Sequence, residues 1–110
     1  MDRINKLKEM LKVDEKDSFL QHALALEYIK IGKDNEAKNL FHKILTREPN
    51  YVGSYYHFGK LLERTGDFKK AVHVYKKGME IAEKIKDRHS FNELQLAYEE
   101  AEDELDDNSH

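Results

Sequence analysis

Residues 24–49 read LALEYIKIGKDNEAKNLFHKILTREP, and residues 58–83 read FGKLLERTGDFKKAVHVYKKGMEIAE. When the first stretch is moved along the chain by 34 positions, residues of similar size and chemistry coincide. The coinciding pairs are Leu24 and Phe58, Ala25 and Gly59, Tyr28 and Leu62, Gly32 and Gly66, Ala37 and Ala71, and Phe41 and Tyr75. Self-similarity at a fixed period of this length indicates a repeated structural unit in which each copy stacks on the next.

The repeated unit is helical. Apolar residues recur at three- and four-residue intervals along nearly the whole chain, and no segment alternates with period two for long enough to form a strand. Very short polar connections separate these segments, so successive helices are expected to pack antiparallel. The predicted helices cover about residues 2–12, 18–31, 35–47, 52–65, 68–84 and 88–105.

Residues with special backbone preferences mark the helix ends. Asp17 or Ser18 can cap the second helix, and Asp67 can cap the fifth, because a short polar side chain accepts a bond from a free N–H of the first turn. Gly32 and Gly66 follow helix ends, where the left-handed conformation that glycine adopts readily is favoured. We therefore expect two helix pairs, in each of which a turn with a glycine joins the two helices.

This pattern resembles the tetratricopeptide-repeat family, whose repeats place small and large residues at set positions of two helices. The first copy matches at Leu24, Ala25, Tyr28, Gly32, Ala37, Phe41, Ile44 and Pro49. The second copy matches at Tyr55, Phe58, Gly59, Leu62, Gly66, Ala71, Tyr75 and Gly78. The resemblance implies an all-α fold, a right-handed superhelix of antiparallel helix pairs with about six helices.

The resemblance also implies a division of the chain into repeats. A further shift of 34 positions sets Leu7 against Phe41 and Met10 against Ile44, so the first helix resembles the second half of a repeat whose first half is missing. We expect one domain over residues 1–110. Its parts are a leading half repeat at 3–17, repeats at 18–51 and 52–85, a capping helix at 88–105 and an acidic frayed tail at 106–110.

Three features depart from the family pattern. Gln21 stands where the family prefers tryptophan or another bulky residue, and Glu83 stands where the second copy would have its closing proline. The last helix matches only if about three residues are inserted before it, which we place at 86–88. We therefore interpret that helix as the polar-backed cap that such arrays need at their end.

Composition excludes several other classes of protein. Without cysteine, the chain can form neither disulfides nor zinc–thiolate sites. No apolar run resembles a signal peptide or a membrane span, so we expect a cytoplasmic protein without membrane contact. Residues 99–107 hold seven acids and no base, which leaves a net charge of about +4 on residues 1–98 because the chain totals −3. That charge is too small and too scattered to predict nucleic-acid binding. We interpret the acidic end as solubilising; the alternatives are contact with a basic partner and an intramolecular lid over the basic part of the chain.

Histidines do not form a recognisable metal or catalytic motif. The chain has six histidines, and no two lie three or four residues apart on one helix. No nucleophile turn and no phosphate-binding glycine loop is present. The sequence therefore predicts no catalytic residues, no metal, no cofactor and no enzyme activity.

The second helix carries more apolar surface than packing within its repeat requires. Leu24, Ala25 and Tyr28 serve that packing, whereas a second stripe lies on another face. In the family, the first helix of each repeat lines a concave groove, and the resemblance places this stripe and its counterpart on the fourth helix there. The candidate partner-binding residues are Phe19, His22, Leu26, Ile29, Tyr56, His57, Lys60 and Arg64.

The expected function is that of a scaffold module that binds a protein or peptide partner in the groove. An apolar first half and a partly basic second half suit a peptide with apolar anchors and an acidic group. The alternative is a homodimer in which the inner faces of two chains cover each other. Some family members bind chaperone C-termini through a lysine, asparagine and arginine clamp. Here His22, Leu26, His57 and Ser90 or Phe91 lie near those positions, so that form of binding is not expected.

Overall fold

The computed structural model of the chain describes residues 2–108, and the regular elements in that range are six α-helices. They are α1 (Asp2–Val13), α2 (Ser18–Lys30), α3 (Asp34–Arg47), α4 (Gly53–Arg64), α5 (Phe68–Lys84) and α6 (Arg88–Asn108). The all-α prediction is confirmed. The helices form two compact units that divide after Tyr51, with α1 to α3 in the first unit and α4 to α6 in the second.

In the first unit, α2 packs against both α1 and α3. Arg47 near the end of α3 donates a hydrogen bond to Ser18 at the start of α2, so the two helices run antiparallel. Met10 lies on the predicted apolar face of α1 but is 53% exposed. The buried apolar residues of this unit are Ile4, Leu7, Leu24, Ala25, Tyr28, Ala37, Phe41 and Ile44.

In the second unit, α5 packs against α4 and α6. A Cβ atom built on Gly78 of α5 would lie 2.7 Å from the Cβ atom of Tyr55 on α4, so the glycine permits a close approach of these helices. Gly59 of α4 has the same role toward the ring of Tyr75 on α5. Small residues where two helices cross were the basis of the repeat interpretation, and these contacts confirm their packing role.

The helix ends follow the predicted chemistry. The side chains of Asp17 and Asp67 each accept a hydrogen bond from the backbone N–H three residues later, at 3.0 and 3.1 Å. Gly32 and Gly66 have φ angles of +77° and +90°, in the left-handed region. Their following residues, Lys33 and Asp67, donate backbone bonds back into the preceding helix and complete its C-terminal cap.

The two repeats differ at the end of their second helix. Helix α3 has 14 residues and stops before Pro49, whereas α5 has 17 residues and runs through Glu83, the corresponding position. Helix α5 is therefore three residues longer than α3, and the placement of an insertion at 86–88 stays a prediction. The physical reason for the longer helix is that glutamate keeps the N–H and the backbone freedom that proline lacks.

The last helix also differs from its predicted extent. Helix α6 continues to Asn108, beyond the predicted start of fraying at residue 106. Residues 109 and 110, the rest of the predicted tail, lie outside the described range. The acidic residues from 99 to 107 are therefore helical, and each of them is exposed.

The turn after α5 contains a residue in an unfavourable backbone conformation. Lys86 has a φ angle of +61°, at the position that glycine occupies after α2 and α4. A left-handed conformation costs a residue with a side chain about 1–2 kcal/mol. We expect Lys86→Gly to raise the free energy of unfolding by about 0.5–1 kcal/mol, because part of this gain is offset by the greater freedom of unfolded glycine.

Chemical denaturation followed by circular dichroism measures this effect. Lys84→Gly is the matched control, since Lys84 lies in the last turn of α5. There glycine should instead lower the free energy of unfolding, by up to about 1 kcal/mol. Equal effects of the two substitutions would contradict the role assigned to the backbone at Lys86.

Candidate functional site

The predicted site residues of the first unit lie on α2, which is apolar around most of its circumference. One side is packed, since Leu24, Ala25 and Tyr28 are buried. The other side, which we call the α2 face, consists of Phe19, His22, Leu26 and Ile29. A helix with apolar side chains on two faces must bury the second face against something.

Exposure varies along the α2 face. Phe19 is 69% exposed, the highest value among the large apolar residues of this helix, whereas Leu26 and Ile29 are half-buried. Phe19 and Leu26 are seven residues apart and therefore stack on the same side of the helix, two turns from each other. Together they present apolar surface to solvent in the chain by itself.

His22 is half-buried and packs against two rings of the first unit. Its ring lies 5.8 Å from the ring of Phe41, in an edge-on arrangement, and 5.7 Å from the ring of Tyr51. Phe41 is fully buried, so the imidazole covers part of the core of this unit. His22 therefore contributes to packing within the first unit, whereas Phe19 on the same face is exposed.

The predicted residues of the second unit share one side of α4. The α4 face consists of Tyr56, His57 and Lys60, which are half-buried, and Arg64, which is exposed. The ammonium group of Lys60 lies 5.6 Å from the centre of the Tyr56 ring, a cation–π distance. The rings of Tyr56 and His57 lie 5.5 Å apart at nearly a right angle. These contacts order the aromatic part of the face.

Glu63 also belongs to this face, at the position that corresponds to Ile29 of the α2 face, although the candidate partner-binding residues did not include it. Its carboxylate lies 3.8 Å from the ammonium group of Lys60 and accepts a hydrogen bond from the hydroxyl of Tyr75. Burial raises the pKa of Tyr75, and the bond to Glu63 raises it further, so the hydroxyl stays protonated and acts as the donor. The sequence signal was the tyrosine that stands at position 75 where the first copy has Phe41.

Helix α6 adds acidic groups to the surroundings of α4, against which it packs. Burial lowers the pKa of His57, and the nearby negative charge of Glu93 acts in the opposite direction. The negative charge of Glu100 likewise raises the pKa of Tyr75. The expectation of a partly basic second half was therefore incomplete, because tertiary packing supplies carboxylates that the sequence of α4 does not contain.

Among residues 2–108, no three histidine, aspartate or glutamate side chains are placed to bind one metal ion. Over the same residues, no helix has the length and apolar character needed to cross a bilayer. His42 and His73 are exposed on α3 and α5.

Comparison with known proteins identifies the fold independently. The sequence matches the family model of the tetratricopeptide repeat over residues 20–51 and 52–85. A tetratricopeptide repeat domain protein from Salinibacter ruber, solved by NMR, is 38% identical with a TM-score of 0.77, and the match covers 81% of this chain and 90% of that one. A search of curated proteins found no significant match.

More distant structures share the fold. The TPR2B domain of yeast Sti1, solved in a complex with pHsp70, is 18% identical with a TM-score of 0.85 over 92% of this chain and 81% of that one. The first TPR of Spaghetti (RPAP3), bound to the HSP90 peptide SRMEEVD, is 15% identical with a TM-score of 0.79 over 93% and 76%. With the repeat-family match and the 38% identical relative, these results show that the chain belongs to the tetratricopeptide-repeat family.

Proposed function

We propose that the chain is a non-catalytic interaction module that binds a peptide or a helix of a partner protein through the α2 face, the α4 face or both. The observation that carries this proposal is the 69% exposure of Phe19 on a helix whose opposite side is already packed. Burying a phenylalanine side chain is worth about 1.5–3 kcal/mol. A partner that covers the α2 face gains this free energy of burial, and no core residue of the chain has to move.

The chemistry of the two faces favours apolar contact as the main source of affinity. On the α2 face, Phe19 and Leu26 can serve as apolar contacts for a helix or an extended peptide, which are the usual modes of recognition in such surfaces. On the α4 face, Lys60 is already paired with Glu63, so Tyr56 is the stronger candidate for a contact. Among the neighbours, yeast Sti1 and RPAP3 were solved with chaperone-derived partners, which supports polypeptide binding in general.

The affinity for a partner should depend on Phe19. The partner is first captured from a lysate on the immobilised chain, and its dissociation constant is then measured by calorimetry with purified protein. We expect Phe19→Glu to raise the dissociation constant by at least about tenfold, which corresponds to about 1.4 kcal/mol, because it places a charge in an apolar contact. A Tyr56→Ala/Lys60→Glu variant tests the α4 face in the same assay.

Leu96→Glu is the matched control for Phe19→Glu. Leu96 is 61% exposed, close to the exposure of Phe19, but it lies on α6 among charged residues outside both faces. Binding should survive this substitution. Equal loss in both variants, or full binding by Phe19→Glu, contradicts the proposed use of the α2 face.

The alternative function is self-association, in which the inner faces of two chains cover each other and bury Phe19. Light scattering over a range of concentrations distinguishes the two functions. A mass that rises from 13.0 kDa toward twice that value, and returns to the monomer value in Leu26→Glu, supports the homodimer. A constant monomer mass supports an interaction module for other proteins.

A further inference from the structure

The departure of Gln21 from the family pattern creates a polar cluster in the first unit. Gln21 is only 7% exposed, and both ends of its amide are bonded. Its Nε2 atom donates to the carbonyl oxygen of Glu15 at 3.0 Å, and its Oε1 atom accepts from Nη2 of Arg47 at 3.0 Å. An amide therefore occupies a position that a bulky apolar side chain would fill in the family, and it holds an arginine in place.

Arg47 is fixed from two sides. Its Nη2 atom also donates to the Oγ atom of Ser18 at 2.7 Å, and that hydroxyl donates to the carboxylate of Glu48 at 2.6 Å. Both bonds of the guanidinium group use Nη2, so the N–H groups on Nε and Nη1 remain available for a ligand. Because a guanidinium is planar and always charged, an arginine ordered in this way is suited to binding an anion through two oxygens.

An open surface depression of about 460 Å³, which we call the cavity, lies beside this cluster at the α1–α2 turn and the C-terminal half of α3. By the same measure, one water molecule needs only about 10–15 Å³. The cavity lies within residues 1–51 and does not include the α2 face. The lining residues are Glu15, Lys16, Gln21, His42, Lys43, Thr46 and Arg47.

The charge of the cavity is positive. Lys16, Lys43 and Arg47 contribute three cationic groups, and Glu15 contributes one carboxylate. Within residues 2–108, none of these three cations lies within 4.0 Å of a carboxylate oxygen. Thr46 adds a hydroxyl donor. The lining thus offers several hydrogen-bond donors and an excess of positive charge in one concave place.

We propose that this cavity binds a phosphate monoester group. Such a group carries nearly two negative charges and three acceptor oxygens near neutral pH, which matches one guanidinium and two ammonium groups better than a single carboxylate does. The cavity has room for the phosphate and for part of the molecule that carries it. The group can come from a phosphorylated side chain of a polypeptide or from a small phosphate ester.

Titration followed by NMR tests the proposal on the whole chain. Inorganic phosphate, a phosphoserine peptide and adenosine monophosphate are added separately at constant ionic strength, with sodium chloride and the unphosphorylated peptide as references. We expect saturable shifts of the amide signals of Lys16, Lys43 and Arg47, half complete at about 1 mM phosphate or below. Tighter binding of the peptide or of the nucleotide then identifies the source of the phosphate group.

Charge-reversal variants connect the binding to the cavity. Lys16→Glu/Lys43→Glu should weaken phosphate binding by at least about tenfold. Lys6→Glu/Lys33→Glu changes the net charge equally at two exposed residues outside the cavity and should leave binding unchanged. Shifts that do not saturate, that sodium chloride reproduces, or that both double variants weaken alike overturn the proposal. Circular dichroism of each variant confirms that it is folded.

Discussion

Gly59→Ala is expected to lower the free energy of unfolding by about 2 kcal/mol, although replacing glycine by alanine inside a helix ordinarily raises it by about 1 kcal/mol. The added Cβ atom would overlap the ring of Tyr75. That ring has no solvent-exposed area, and its hydroxyl is bonded to Glu63, so it has no free space to enter. Overlap in a packed interior is relieved only by moving helix α4 away from α5.

Urea denaturation measures this change, and two further variants show its cause. Gly53→Ala is the matched control, since Gly53 begins the same helix and a Cβ atom there meets no atom within 4 Å. It should not destabilise the protein. In a Tyr75→Ala background, the penalty of Gly59→Ala should disappear, because the overlapping ring is gone. A higher midpoint for Gly59→Ala alone would refute the close helix contact.

Phe41→Ala is expected to lower the free energy of unfolding by about 3–5 kcal/mol, the usual cost of emptying a fully buried aromatic position. Phe41 has no exposed area, and its ring is covered on one side by His22. Whole domains are stable by only about 5–15 kcal/mol. We therefore expect the first unit of this variant to be largely or partly unfolded at 37 °C.

Phe19→Ala removes the same side chain from the surface of the same unit. Phe19 is 69% exposed, so its loss should change the free energy of unfolding by less than about 0.5 kcal/mol. Partner binding should show the reverse order. Phe19→Ala should bind the partner more weakly, whereas the molecules of Phe41→Ala that remain folded should bind it with unchanged affinity. Similar effects of the two substitutions on stability would mean that the α2 face is covered within the chain.

Much of the fold could be predicted because the turns and helix ends of the repeat depend on the conformational preferences of single residues. Gly32 and Gly66 lie in left-handed turns, as expected of glycine, and Asp17 and Asp67 cap helices, as expected of aspartate. These preferences act within a few residues and need no tertiary contact. The end of α5 follows the same rule, since without a closing proline the helix continues through Glu83.

The candidate site was less predictable. The residues of the α2 and α4 faces follow from helical spacing and from the family resemblance, and their use in binding stays a proposal. Their charge does not follow from spacing, because Glu93 approaches His57 from a helix thirty-odd residues later. The bond from Tyr75 to Glu63 also joins two helices. No local pattern around residue 57 or 63 contains this information.

The sequence by itself determined the helices, most of their ends, the period and the family, because these depend on backbone preferences and on spacing along the chain. Tertiary structure alone decided which polar groups meet. Gln21 was visible in the sequence only as a departure, whereas in the structure it bonds to Arg47 and borders a cationic cavity. The reason is physical: hydrogen bonds and charges act between atoms that folding brings within a few ångströms, at whatever distance they lie along the chain.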